Sequence, residues 1–185
     1  MKKLITLVLI STAALSAFAQ KNENSGDLTF KKFKVDISTG YAKPQGSTTN
    51  GGALFAIEPK YSVMDQLSLG LRMEAAVTVN IDKTGNESSA KANASYLLTG
   101  DYYFNNHKFR PFGGVGAGIF TMATVDQNTV IISGGTLPTT SKFGFMARGG
   151  FEYGHLRIGV EYNFVANNSG YLGAKLGVCL GGGKK

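Results

Sequence analysis

Twelve charged residues in this 185-residue chain share one local setting: each is flanked on both sides by an apolar residue, Gly or Pro. They are Lys34, Asp36, Glu58, Lys60, Arg72, Glu74, Asp101, Arg148, Glu152, Arg157, Glu161 and Lys175, six cations and six anions. Charges spaced this way fall on one face of extended segments. Gathered in an enclosed space they would form an ion-pair network, structural if it fills the space and gating if it lines an opening. Burial of unpaired charge is costly, so equal numbers of the two signs are what an enclosed network requires. Arg72/Glu74, Arg148/Glu152 and Arg157/Glu161 are candidate pairs, within a strand or with neighbours.

Other chemistry is sparse. His107 and His155 are the two available imidazole bases, and Cys179 is the sole thiol. One cysteine excludes an intrachain disulfide, and Cys179 reads as a small, half-buried packing residue. Lys83-Thr84-Gly85 and Ser88-Ser89-Ala90-Lys91 match two short motifs of serine β-lactamases. They adjoin in one loop in reversed order, without the Ser-Asp-Asn motif, so the match carries no catalytic expectation. Gly114-Val115-Gly116-Ala117-Gly118 resembles a dinucleotide loop, but Ile119 stands in the third glycine's place and no crossover helix follows. No His/Cys/Asp/Glu group has metal-ligand spacing. Catalytic residues, cofactors and metals are therefore all expected to be none.

The N-terminus reads as an export leader. Lys2 and Lys3 form a positive region, Leu4 to Leu15 an apolar one, and Ala17-Phe18-Ala19 a small-residue cleavage site, so residues 1–19 are a signal peptide. Residues 20–31 follow as a flexible periplasmic lead-in. The net charge of +7 falls to +5 without Lys2 and Lys3. The remaining basic residues are scattered, with no block longer than Lys31-Lys32, which excludes a nucleic-acid partner. The excess is read as attraction to anionic lipid or lipopolysaccharide, or as nothing specific.

Residues 32–181 contain eight segments with period-two alternation, the signature of strands with two unlike faces. They run over 33–41, 53–63, 67–79, 92–104, 109–121, 142–153, 156–164 and 171–180. The third is the cleanest: Leu67, Leu69, Leu71, Met73, Ala75, Val77 and Val79 alternate with Ser68, Gly70, Arg72, Glu74, Ala76 and Thr78. The fifth is Gly-rich and its facing is ambiguous. Connections alternate between short (64–66, 105–108, 154–155) and long (42–52, 80–91, 122–141, 165–170). Short turns at one end and long loops at the other, with strands of about 9 to 11 residues, fit a transmembrane β-barrel. Aromatic residues near segment ends, including Phe33, Tyr41, Tyr102, Phe104, Phe143, Tyr153, Phe164 and Tyr171, fit the girdles at its two interfaces.

The faces decide between lipid and water. Eight strands leave an interior just wide enough for side chains to fill. The Phe- and Tyr-rich apolar face has more volume than that interior holds, so it is expected to face lipid, with the twelve charges in the lumen. A lipocalin-like soluble barrel with an apolar cavity is the alternative.

The segment Tyr96-Leu97-Leu98-Thr99-Gly100-Asp101-Tyr102-Tyr103-Phe104, a short turn, then Phe109-Arg110-Pro111-Phe112-Gly113-Gly114-Val115-Gly116-Ala117-Gly118 resembles the fourth-to-fifth strand hairpin of small outer-membrane barrels. Phe143 to Tyr153 followed by Leu156 to Phe164 resembles their next hairpin. The whole mature chain is similar to the OmpA-type transmembrane domains, OmpX and OmpW of the porin-family barrels. The resemblance implies an all-β, eight-stranded antiparallel up-and-down barrel in the Gram-negative outer membrane. Implied partners are outer-membrane lipid, lipopolysaccharide and the barrel-assembly machinery, with the barrel a monomer. Family members commonly end in an aromatic residue, whereas this chain ends Leu180-Gly181-Gly182-Gly183-Lys184-Lys185, residues 182–185 reading as a tail. No wall-binding domain is expected after Lys185. The expected function is structural or surface-interacting. The alternative is a narrow pore for small solutes, and a third class is a lipid-modifying enzyme. Barrels of that third class place a His with Ser and an acid near the outer rim or on the lipid-facing surface, whereas His107 and His155 fall in periplasmic turns.

Overall fold

The computed structural model describes residues 30–45, 51–81, 88–126, 139–166 and 169–182. Eight strands follow one another: β1 (Phe33–Pro44), β2 (Gly52–Met64), β3 (Leu67–Ile81), β4 (Ser88–Tyr103), β5 (Phe109–Asp126), β6 (Thr139–Tyr153), β7 (Leu156–Val165) and β8 (Tyr171–Gly181). Each pairs antiparallel with the next, and β1 pairs with β8 from Lys34↔Gly181 to Pro44↔Tyr171, closing the sheet. Closure pairs the backbone of every strand on both sides, the condition a β-structure must meet in hydrocarbon. Among the described residues, no helix is long and apolar enough to cross a membrane.

Three connections are short and lie at one end, with both ends of the barrel sheet: Asp65–Gln66, 104–108, and Gly154–His155. Gly154 has φ +62°, the left-handed conformation a two-residue hairpin turn favours and glycine adopts without strain. At the opposite end several strands run further than the alternation predicts. β4 begins at Ser88 rather than 92, and β5 continues to Asp126 rather than 121. The Ser88-Ser89-Ala90-Lys91 motif is therefore strand, paired through Ser88↔Ile81 and Ser89↔Asn80. At these strand ends residue types are mixed, as in Ser88-Ser89-Ala90-Lys91 of β4 and Met122-Ala123-Thr124-Val125-Asp126 of β5. The hydrophobic period then fades from the sequence while the backbone ladder continues. Residues 1–19 and the Lys83-Thr84-Gly85 motif lie outside the described residues.

The alternation is inverted relative to a soluble barrel. Phe33, Tyr41, Tyr96, Phe143 and Leu176 point outward, as do Leu98, 69% exposed, and Val115, 67% exposed. Lys60, Arg72, Asp101 and Glu161 are buried inside. β5 adopts the same sense: Arg110, Phe112 and Phe120 are buried, while Val115 and Ile119 are exposed. Its glycines 114, 116 and 118 share the inward register. Outward aromatic pairs Tyr102–Phe104 and Phe109–Phe151 mark the turn end, and Phe143–Phe145 and Tyr162–Phe164 the loop end.

Candidate functional site: the charged lumen

Strand register stacks the interior side chains in layers. Nearest the turns lie Phe30, Tyr103, Arg110 and Phe112. A charged zone follows. At the loop end Ala42, Leu54, Ala76, Leu97, Phe120, Met146, Val165 and Tyr171 pack into an apolar layer.

All twelve charged residues named from the sequence line the interior, in two groups. The larger holds Lys34, Asp36, Glu58, Lys60, Asp101, Arg148, Glu152 and Arg157. Lys60 Nζ lies 2.6 Å from both Asp36 and Asp101. Arg148 donates to Asp101 (2.7 Å) and, through both terminal nitrogens, to Glu58 (2.8 and 2.6 Å). Arg157 donates to Asp101 (2.8 Å) and to Glu152, which Lys34 also approaches at 2.5 Å. The smaller group holds Arg72, Glu74, Glu161 and Lys175. Arg72 lies 2.6 Å from Glu161 and 3.4 Å from Glu74, and Lys175 lies 2.5 and 3.0 Å from the same two carboxylates. Four cations meet four anions in the first group, and two meet two in the second. Each group is neutral by itself, which limits the cost of burying it.

Register makes this sorting necessary. Lys34 stands opposite Lys60, and Asp36 opposite Glu58, on adjacent strands. Like charges directly opposite are destabilising. The network resolves them with a diagonal pair, Lys60–Asp36, and with partners across the lumen. Of the three pairs suggested by sequence proximity, Arg72/Glu74 is in reach. Arg148 instead bonds Glu58 and Asp101; Arg157 bonds Glu152 and Asp101; Glu161 bonds Arg72 and Lys175. Residues four apart on a strand are roughly 13 Å apart, whereas residues two apart are roughly 7 Å.

Neutral polar groups complete the network. Thr99 donates to Glu58 (2.5 Å), Tyr103 to Glu152 (2.6 Å) and Tyr171 to Glu74 (2.5 Å), while Arg72 donates to Ser95 (3.2 Å) and Asn163 (2.9 Å). Tyr171, assigned from sequence to an interfacial girdle, is thus an interior residue. Its position at a strand end fits both places, and β8 register turns it inward. Tyr103 and Arg110 are further interior residues that the sequence reading did not single out. Strict alternation from the outward Tyr102 would have found Tyr103. Small residues make room for the network. A Cβ at Gly70 would lie 2.9 Å from Lys60 Cγ and Thr99 Oγ1 and 3.0 Å from Glu58 Oε1.

Between the two groups a cavity of about 20 Å³ is lined by Asp36, Ser38, Glu58, Arg148, Glu161 and Lys175, among others. That is space for about one water. The carboxylates of Asp36 and Glu152 and the thiol of Cys179 come within 4.8 Å of one another. Lys60 and Lys34 already neutralise those carboxylates at 2.6 and 2.5 Å, taking the place a metal cation would need. His107 and His155 are exposed in the turns. His155 Nδ1 lies 2.8 Å from the Cys179 carbonyl, and the His107 amide donates to Asn105 (3.2 Å).

An antiparallel barrel with apolar side chains outside and ionised ones inside is a transmembrane β-barrel. The chain belongs to the family described as outer membrane protein beta-barrel domain, whose model matches residues 5–178. Membership places it in the outer membrane, and its short turns then face the periplasm. Among solved structures it is similar to Neisserial surface protein A, with 17% identity and a TM-score of 0.60 over 82% of this chain and 98% of that one. The N-terminal barrel domain of Pseudomonas aeruginosa OprF aligns at 14% identity and a TM-score of 0.49, over 82% and 98% of the two chains. Ail of Yersinia pestis, solved with the heparin analogue sucrose octasulfate, aligns at 15% and 0.47, over 82% and 99%. At these identities the likeness is one of fold. No curated protein sequence matches the chain.

Proposed function

We propose that this chain is a closed outer-membrane barrel with a structural or surface-interaction role, its lumen filled by the two ion groups and the apolar layer beyond them. The observation that carries this reading is the pairing of all twelve interior charges into two neutral groups with room for about one water between them. Export by the leader 1–19 fits this role, as do insertion by the barrel-assembly machinery and contact of a monomer with lipid and lipopolysaccharide.

A narrow pore is the second reading. It is favoured by the polar path that the charged groups make through the middle of the barrel. Opening it requires the Arg148–Glu58 and Arg72–Glu161 contacts to exchange partners and the apolar layer to part. An enzymatic role lacks support, since both histidines sit in the turns, away from the outer leaflet.

Single-channel recording of the mature protein refolded in bilayers tests these readings, with heat-modifiable gel migration as the folding control. The closed reading expects no current from wild type, and a loss of stability from Arg72→Ala. Reproducible wild-type current, with selectivity altered by Arg72→Ala in a stable barrel, would establish the pore instead.

A further inference from the structure

The periplasmic mouth has a closure of its own, stacked on the outer edge of the larger ion group. The backbone of residues 30–32 runs on ahead of β1. The Ser62 amide donates to the Lys32 carbonyl (2.7 Å), and the Phe30 amide to Asp65 Oδ1 (3.3 Å) in the β2–β3 turn. These bonds turn the Phe30 ring over the mouth, where it is only 8% exposed. Beneath it the Arg110 guanidinium lies 4.0 Å from the Phe30 ring centre and 4.1 Å from that of Tyr103. Arg110 also donates to the Asp65 carbonyl at 2.6 Å. The stack therefore ties together the lead-in, the β2–β3 turn, β4 and β5. A guanidinium held between two ring faces gains from both, more so where water is excluded.

The next layer inward is the Lys34–Tyr103–Glu152 cluster, in which Lys34 donates to the Tyr103 hydroxyl at 2.7 Å. Cys179, opposite Asp36 in the register, lies behind it with its side chain buried. The sole cysteine is thus a natural reporter of access from the periplasmic side.

We infer that residues 30–32 are a strap that seals the periplasmic mouth, with Phe30 as its lid and Arg110 as its latch. The ring and the guanidinium sit at the rim, outside the ion groups. Opening the strap frees Arg110 from the Tyr103 ring, whose hydroxyl bonds Lys34 and Glu152, and so loosens the layer that covers Cys179; access from the periplasm is thereby controlled by the segment that precedes the barrel. The inference does not depend on whether the lumen conducts.

The test is the rate at which 2-aminoethyl methanethiosulfonate modifies Cys179 in folded, heat-modifiable protein in liposomes with the periplasmic end accessible, followed by mass. Wild type is expected to react slowly. Phe30→Ala removes the lid and raises the open fraction, and is expected to react roughly tenfold faster or more at unchanged gel mobility. Phe30→Leu keeps apolar volume without a ring face and is expected to fall between the two; it carries the test if Phe30→Ala does not fold. Fast labelling of folded wild type, or folded Phe30 variants labelling at the wild-type rate, would overturn the inference. Single-channel current in the same proteins reads the pore separately, because current also requires the apolar layer at the loop end to part.

Discussion

Arg148 on β6 and Glu58 on β2 are 90 residues apart in sequence and on strands that are not neighbours, yet two guanidinium nitrogens donate to the Glu58 carboxylate at 2.6 and 2.8 Å. The pair crosses the lumen and braces opposite walls. A planar fork matched to a carboxylate gives this contact a fixed geometry that a lysine cannot reproduce. Removing one partner leaves a buried charge unmatched. Arg148→Ala and Glu58→Ala are each expected to cost about 3–5 kcal/mol. The double change Arg148→Met with Glu58→Leu should recover much of that. Urea unfolding in lipid vesicles, read by gel mobility or tyrosine emission, checks all three. Additive losses in the double variant would show that the two residues do not act as a pair.

Gly70 leaves the space that Lys60, Thr99 and Glu58 occupy. Gly70→Ala puts a methyl group against a lysine stem and a carboxylate that are both held by other partners, so they cannot simply swing away. The expected loss is about 1–3 kcal/mol, the usual range for overpacking. The same urea series measures it, and an unchanged midpoint would mean the network is loosely packed.

Leu98 lies in the middle of the outward face, beside Leu71 and Ala117 on the neighbouring strands. Arginine at the midplane of such a face costs about 2–4 kcal/mol. Leu98→Arg should therefore lower folding stability in vesicles by that amount. In a barrel whose outside meets water it would be nearly neutral.

His107 and His155 are exposed turn residues, and His155 contacts the Cys179 carbonyl. Replacing both with alanine should leave the phospholipid and lipid A composition of expressing cells as it is with the wild-type protein. A wild-type-dependent change in lipid acylation that disappears in the double variant would make the protein an enzyme.

The architecture was legible because the strand period and the alternation of connection lengths are local properties of the chain. Lys34, Asp36, Arg72 and Glu161 each sit between apolar neighbours, so their common face follows from backbone geometry alone. In β3 the pattern is nearly unbroken. In β5 the glycines carry no side chain to report a face, and its sense came only from pairing: Gly114 stands opposite Asp101 and Arg148, both interior.

Sequence alone determined that apolar and ionic residues occupy opposite faces, that the ionic face is charge-balanced, and that the strands number eight. Each of these follows from residue type and a period of two. Tertiary structure decided which charges meet. Arg148 reaches Glu58 and not Glu152 because four residues along a strand exceed a side chain's span, while closing eight strands brings β6 within reach of β2. It also decided that Tyr171 turns inward to Glu74, and that Phe30, four residues ahead of Lys34, covers the mouth. Those outcomes depend on register and closure, which bring together residues that no local pattern relates.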